Sequence, residues 1–233
     1  MSMYNLLAII PARGSSKRLA KKNIIDFFGK SLLYYSIEAA IESKIFSEIV
    51  ITSEDKEILK LSSKYSEVSL LERPANLATN ETSVMDVVNH VLDVKKGDDF
   101  DYVFIMLPTT PLRDSHDLAN AYQLLKEKQP NAVISVFESP YPFIYSFYIE
   151  DGYLHRYFPK SFVTQSQKAP KSFIDNGGFY ALRPEFIRKK NYCPPYTIPY
   201  IMPFWKSIDI NTQEDLEIAK AMYLYFVKGY KNV

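Results

Sequence analysis

Between Pro11 and Asn23 the chain places Arg13, Gly14, Ser15, Ser16, Lys17, Arg18, Lys21 and Lys22, with five basic side chains and no acid. Gly14 and the two small serines let backbone N–H groups come close to an anion. Arg13 can grip a phosphate through two parallel hydrogen bonds, and Lys17 and Lys22 supply point charges. The whole chain has only seven glycines, so a glycine at this spot carries information. The spacing is not that of a Walker loop, and one glycine does not make a dinucleotide fingerprint. The chemistry is still that of a phosphate site. A solvated basic turn is the competing reading, and the loop's place directly after a buried strand favours the ligand. No nucleophilic side chain is evident elsewhere.

The elements that must hold this loop show as apolar runs and stripes. Tyr4–Ile10, Glu48–Thr52, Val68–Leu71, Asp101–Leu107 and Ala132–Phe137 read as strands. Helical stripes run through Leu33, Ile37, Ala40 and Ile41, through Asp55–Lys64, through Val84, Val87, Val88, Val91 and Leu92, and through Leu118, Ala121, Tyr122 and Leu125. Strands alternating with helices predict an α/β fold, a Rossmann-like, mostly parallel sheet flanked by helices. Ligands of such sheets lie beyond the carboxyl ends of the strands, which singles out the loops after Ile10, after Leu107 and near Asp209.

Residues 138–175 break the pattern with aromatic residues and prolines. They predict an inserted antiparallel arm whose exposed rings suit a partner surface or a small local core. The catalytic domain is then 1–137 and 176–233. The chain is expected to return to the sheet after Pro203, with Ser207–Asn211 leading into a last helix carrying Leu216, Ala219, Tyr223 and Phe226 on one face.

Composition narrows the function. Of 233 residues, 47% are hydrophobic and 24% charged, which is globular composition with room for a large core. No apolar run approaches a membrane span, and the N-terminus lacks a signal-peptide pattern, so a cytoplasmic protein is expected. Cys193 is alone, which excludes an intrachain disulfide and a cysteine zinc site. His90, His116 and His155 are too scattered for a ligand motif. Net charge is +1, so a cationic loop on a slightly acidic body suits an anionic small molecule better than nucleic acid.

Five segments in order carry a resemblance. They are Pro11–Lys17 with Lys22-Asn23; Phe28–Leu33; Glu72–Ala78; Leu107–Arg113; and Ser207–Thr212. Together they resemble the acylneuraminate cytidylyltransferases, the CMP-sialic acid synthetase type. Ser166-Gln167, Asp175–Tyr180 and Lys17-Arg18 are more similar to the pseudaminic acid branch. The resemblance implies a homodimer built through the inserted arm, with CTP and Mg²⁺. A nine-carbon α-keto acid sugar attacks the α-phosphate of CTP, and pyrophosphate leaves. It also implies that Arg13, Lys17 and Lys22 hold the phosphates, helped by Gly14 and Ser15. Asn23 would contact the ribose, and Arg73, Ser83, Pro108 and Thr109 the rest of the nucleotide. Thr110, Gln167, Lys168, Asn176, Phe179 and Tyr180 would face the sugar, and Asp209 with Asn211 the metal. Such transfer needs positioning and charge stabilisation more than covalent chemistry.

The chain departs from the family pattern in four places. Asn211 stands where the second metal aspartate is expected, and Asn211 or Thr212 could instead cap the last helix. Leu107 replaces a glutamine near the sugar, and Val84 replaces a serine and is read as core. Ser166 replaces an arginine, so Lys168 or Lys171 is the expected partner of the sugar carboxylate. Three other functions compete. A cytidylyltransferase for the eight-carbon acid Kdo lacks support in Pro108–Pro111. A glycosyltransferase using Asp-x-Asp leaves Arg13–Asn23 unexplained. A catalytically silent nucleotide binder would suit Asn211, Leu107 and Ser166.

Overall fold

The computed structural model describes residues 4–79, 81–160, 165 and 168–229. The chain opens on β1 (Leu6–Pro11), followed by a short hairpin of β2 (Asp26–Phe27) and β3 (Lys30–Ser31). Then come α1 (Leu32–Ser43), β4 (Glu48–Ser53), α2 (Lys56–Ser62), β5 (Ser69–Glu72), α3 (Val84–Lys95), β6 (Tyr102–Ile105), α4 (Ser115–Lys128) and β7 (Ala132–Glu138). A second hairpin, β8 (Phe147–Glu150) and β9 (Tyr153–Arg156), precedes β10 (Phe173–Leu182), α5 (Pro184–Arg188), β11 (Thr197–Ile201) and α6 (Gln213–Met222).

Among the described residues, seven strands form one sheet in the order β11-β7-β10-β6-β1-β4-β5. β1 pairs in parallel with β4 and β6, placing Ile9 between Val50 and Ile105. β10 alone runs against its neighbours, pairing antiparallel with both β6 and β7. The Rossmann-like expectation therefore holds, with one reversed strand inside the sheet.

Successive strand residues face opposite layers, as the period of two requires. Leu6, Ala8 and Ile10 pack with Leu33 and Ile37 of α1 and Leu118 and Leu125 of α4. Leu7 and Ile9 pack with Val88, Val91 and Leu92 of α3 and Ile187 of α5. Each such wholly buried aliphatic chain contributes about 1.5–3 kcal/mol over leaving it exposed. A third cluster joins Phe27, Leu32, Leu112 and Ile210 to Leu216 and Ala219 of α6. Helix starts are fixed by side-chain caps: Ser31 on α1, Ser83 with Asp86 on α3, Asp114 with Asp117 on α4, and Thr212 with Asp215 on α6. No helix among the described residues is long and apolar enough to cross a membrane.

Two expectations change. The return to the sheet is made by β10 and β11, not after Pro203; Ser207–Asn211 forms no strand among the described residues, and it is tied back by the Ile210 N–H on the Thr109 carbonyl at 2.8 Å and by Ser207 Oγ, which accepts from Asn176 of β10. β10 also starts inside 138–175, with Phe173 opposite Glu138. The β8–β9 hairpin forms its own sheet and is exposed along both strands, with Ile149 74% and Tyr153 73% exposed. Rings still meet in this arm: Tyr148 stacks on His155 across the hairpin at 5.2 Å, and Phe143 before it on Tyr157 after it at 6.1 Å.

Candidate active site

A cavity of about 340 Å³ opens at the carboxyl ends of β1, β5 and β6. The loop after β1 lines it with Arg13, Arg18, Lys22 and Asn23, and Arg73 follows β5. Val84 and Val87 come from α3, Leu107, Pro108 and Thr109 from the loop after β6, and Asp209 and Asn211 from the approach to α6. All three loops singled out from the sequence thus meet in one place.

The loop after β1 is held by residues far from it in sequence. Gly14 N–H donates to Glu54 Oε1 at 2.8 Å, and Glu54 Oε2 accepts from Arg73 Nε at 3.0 Å and Nη2 at 2.6 Å. A Cβ at Gly14 would lie 2.1 Å from Asp55 Oδ2 and 2.7 Å from Asp55 Cβ, so only glycine fits. Asn23 is buried and its amide donates to the Arg13 carbonyl at 2.8 Å, which fastens the loop from beneath. Ser15 and Lys17 are exposed and do not line the cavity. Lys22 does line it, and burial lowers its ammonium pKa, with Asp209 opposing that shift.

Asp209 faces this arc of cations. Its Oδ2 accepts from Asn211 Nδ2 at 2.6 Å, while its Oδ1 is buried and has no partner among the described residues. Asn211 Oδ1 accepts from Lys22 Nζ at 2.9 Å and from Arg18 Nη2 at 2.8 Å. Thr212, not Asn211, caps α6, closing a capping box with Asp215.

A second cavity of about 190 Å³ adjoins the first across Val84 and Leu107. Val84 is 41% exposed and lines both cavities, which corrects its assignment to the core. The other walls are Ser83, Met85, Ile105, Asp175, Tyr180 and Tyr192. The Tyr180 hydroxyl donates to the Asp175 carboxylate at 2.7 Å, and burial together with Asp175 pushes the phenol pKa up. Ser83 sits here rather than in the larger cavity, and its hydroxyl is engaged with Asp86 at the start of α3.

Three residues expected to face a sugar are buried supports instead. Phe179 is wholly buried between Phe104 and Tyr200. Asn176 receives Ser135 Oγ and Gly178 N–H on its Oδ1 and donates to Ser207 Oγ. The Thr110 hydroxyl donates to the Asn176 carbonyl at 2.9 Å. Lys168 is exposed, Lys171 pairs with Glu138 at 3.0 Å, and Ser166 and Gln167 lie outside the described residues.

Sequence reasoning gave no role to Arg113, Glu54 or Arg18. Arg113 is almost wholly buried and donates to the Gly178 and Leu107 carbonyls and to Ser36 Oγ. Burial lowers its pKa to about 10. It ties the loop after β6 to the Gly177-Gly178 bend of β10. Glu54 sits just past the carboxyl end of β4, a place where the sheet rule already looks for function.

A parallel-sheet cleft with cations on one wall and a single carboxylate opposite is the layout of a protein that handles nucleotide phosphates. Residues 7–169 match the cytidylyltransferase family, and the chain belongs to it. It is 35% identical over 226 residues to the pseudaminic acid cytidylyltransferase of Campylobacter jejuni strain 81-176, covering 93% of this chain and 95% of that one. It is 31% identical over 218 residues to the N-acylneuraminate cytidylyltransferase of Escherichia coli O18:K1:H7, covering 92% of this chain and 51% of that one. Among solved structures, a CMP:2-keto-3-deoxy-manno-octonic acid synthetase complexed with CTP superposes with a TM-score of 0.70 at 14% identity, covering 95% of this chain and 99% of that one. At that identity the likeness speaks for the fold.

Proposed function

We propose that this chain transfers CMP from CTP to a nine-carbon α-keto acid sugar of the sialic, legionaminic or pseudaminic acid type. The observation that carries the reading is the arc of Arg13, Lys22 and Arg18 facing Asp209 in a cavity that shares the wall of Val84 and Leu107 with a second, smaller one. The similarity to proteins named pseudaminic acid and N-acylneuraminate cytidylyltransferases supports the same substrate class.

In this reading the larger cavity takes CTP and the smaller one the sugar. The anomeric hydroxyl oxygen attacks the α-phosphorus, the bond to the bridging oxygen of pyrophosphate breaks, and the hydroxyl proton passes to solvent. Arg13, Lys22 and Arg18 hold the triphosphate and neutralise charge building on the departing pyrophosphate. Tyr180, fixed by Asp175, offers a polar contact at the sugar end. The donor set fits Mg²⁺: Asp209 Oδ1 is an unpartnered buried carboxylate oxygen, and Mg²⁺ takes one or two carboxylates with waters and substrate phosphates. Asp209 would hold it, and when bound it would neutralise negative charge on phosphate oxygens.

The exposed apolar β8–β9 hairpin supports the arm as the contact between two copies of the chain. The test of the activity is pyrophosphate release and product mass, with CTP, Mg²⁺ and a panel of N-acetylneuraminic, legionaminic, pseudaminic and Kdo acids. One nine-carbon acid is expected to be consumed with its CMP adduct formed. Turnover of Kdo alone, or CTP binding with no product from any acid, would overturn the reading.

A further inference from the structure

We propose that Asn211 is not a metal ligand: its amide is a bracket that sets Lys22 and Arg18 beside Asp209, and Asp209, the one carboxylate lining the larger cavity among the described residues, is left to hold a divalent cation. The inference rests on the cytidylyltransferase reading and refines it.

The amide orientation is fixed by charge. Its oxygen takes hydrogen bonds from Lys22 at 2.9 Å and Arg18 at 2.8 Å, and its nitrogen donates to Asp209 Oδ2 at 2.6 Å. Turning the amide over would set its N–H groups against two cations and its oxygen against a carboxylate. Both lone pairs of Oδ1 are therefore engaged by positive groups, and a metal at that oxygen would have to displace both. Asp209 Oδ1 is in the opposite condition, buried and without a partner among the described residues. Asp215 and Glu214, further along the chain, do not line the cavity, and Asp215 Oδ2 is taken up at the start of α6, where it accepts from the N–H groups of Asn211 and Thr212 and from the Thr212 hydroxyl.

An aspartate at 211 would face Asp209 oxygen to oxygen at hydrogen-bond distance, which needs a proton or cation between them. The asparagine removes that need and holds the cation pair in place before any nucleotide arrives. Arg18, exposed and 193 residues away from Asn211 in sequence, is brought to the cavity wall by this contact. It then acts with Lys22 on the triphosphate.

Calorimetry with CTP in EDTA separates a bracket from a ligand, because no metal is present. Asn211→Ala and Arg18→Ala are each expected to weaken metal-free CTP binding by about tenfold, the size of a lost charge-assisted contact. Asp209→Asn is expected not to weaken it. A crystal with CTP and Mn²⁺ is expected to show the anomalous peak bonded to Asp209 Oδ1, with Asn211 Oδ1 still on Lys22. Mn²⁺ bonded to Asn211 Oδ1, or Asn211→Ala binding CTP normally in EDTA, would overturn the proposal. Failure of the unaltered chain to bind CTP with or without metal would instead overturn the reading beneath it.

Discussion

Glu54 and Arg73, nineteen residues apart, form an ion pair of 2.6 Å whose arginine side chain is only 3% exposed. The same carboxylate holds Gly14 N–H with its other oxygen, so one acid fixes two walls of the cavity. Glu54→Gln keeps an acceptor for Gly14 but leaves Arg73 buried without its countercharge. The expected loss is about 3 kcal/mol of stability by urea unfolding, the usual cost of breaking a buried pair from one side. CTP KM should rise with it, because both loops loosen. An unchanged unfolding midpoint would show that the pair does not hold the site.

The alkaline limb of kcat/KM for CTP should belong to Lys22. Burial lowers its pKa below the ordinary 10.5, so the charge that grips phosphate is lost earlier than in a free lysine. Activity is expected to fall as pH rises through that lowered value. Stability moves the other way: the unfolded chain holds the extra proton, so this group favours folding more as pH rises past the folded pKa. Lys22→Arg should push the limb upward, since guanidinium stays charged. A limb unmoved by that substitution would assign it to another group.

Leu107 separates the two cavities and gives the smaller one an apolar wall with Val84, Met85 and Ile105. Leu107→Gln should favour acids with a hydroxyl at the matching position over acids with a methyl or hydrogen there. The expected change in relative kcat/KM is about tenfold or more, the range that one apolar group commands in a pocket. Competition assays with two acids in one tube measure it directly. No change in the ratio would place the discriminating contact elsewhere.

Lys206 is 12% exposed and bridges Asp114 at 2.5 Å and Asp117 at 2.8 Å at the start of α4. Burial alone would raise the Asp114 pKa, but the Lys206 ammonium and the Asp117 contacts outweigh it and hold it below 3.8. That stabilisation is present above 3.8 and lost as pH falls through the lowered folded value. Lys206→Met should cost about 3 kcal/mol at neutral pH. The gap to the unaltered chain should narrow below pH 4, and a constant gap across pH would contradict the pairing.

The first half of the sheet was legible because buried parallel strands are short apolar runs, as in β1, β4 and β6. β10 was not, because Asp175, Asn176, Gly177 and Gly178 interrupt its period, and its pairing to β7 shifts between Asp175 and Tyr180. β11 contains Pro199, which a strand tolerates at a sheet edge, where β11 lies. Arg13 and Lys22 stood out because their loop follows a buried strand, and Arg73 and the role of Asp209 only through the family motifs that contain them; all four residues line the larger cavity. Thr110 and Asn176 stand where the resemblance implies sugar contacts, yet the Thr110 hydroxyl donates to the Asn176 carbonyl and the Asn176 amide is engaged with Ser135, Gly178 and Ser207 inside the fold. The roles of Arg18, Glu54 and Arg113 depend on partners 193, 40 and 65 residues away, which no local pattern reveals.

The reversed strand β10 also sets a timetable for the growing polypeptide. β6 has its outer neighbour only when Tyr180, Ala181 and Leu182 have emerged from the ribosome. Until then Tyr102–Ile105 offers bare N–H and C=O groups to any passing strand. At a usual synthesis rate of about 5–20 residues per second, that gap lasts on the order of several seconds. The wall of the cavity formed by Gly14, Glu54 and Arg73 can form early, while Asn211, which holds Lys22, and the strand beside Asp209 arrive late. Nascent chains cut between β7 and β10 are therefore the ones that chaperones should hold longest.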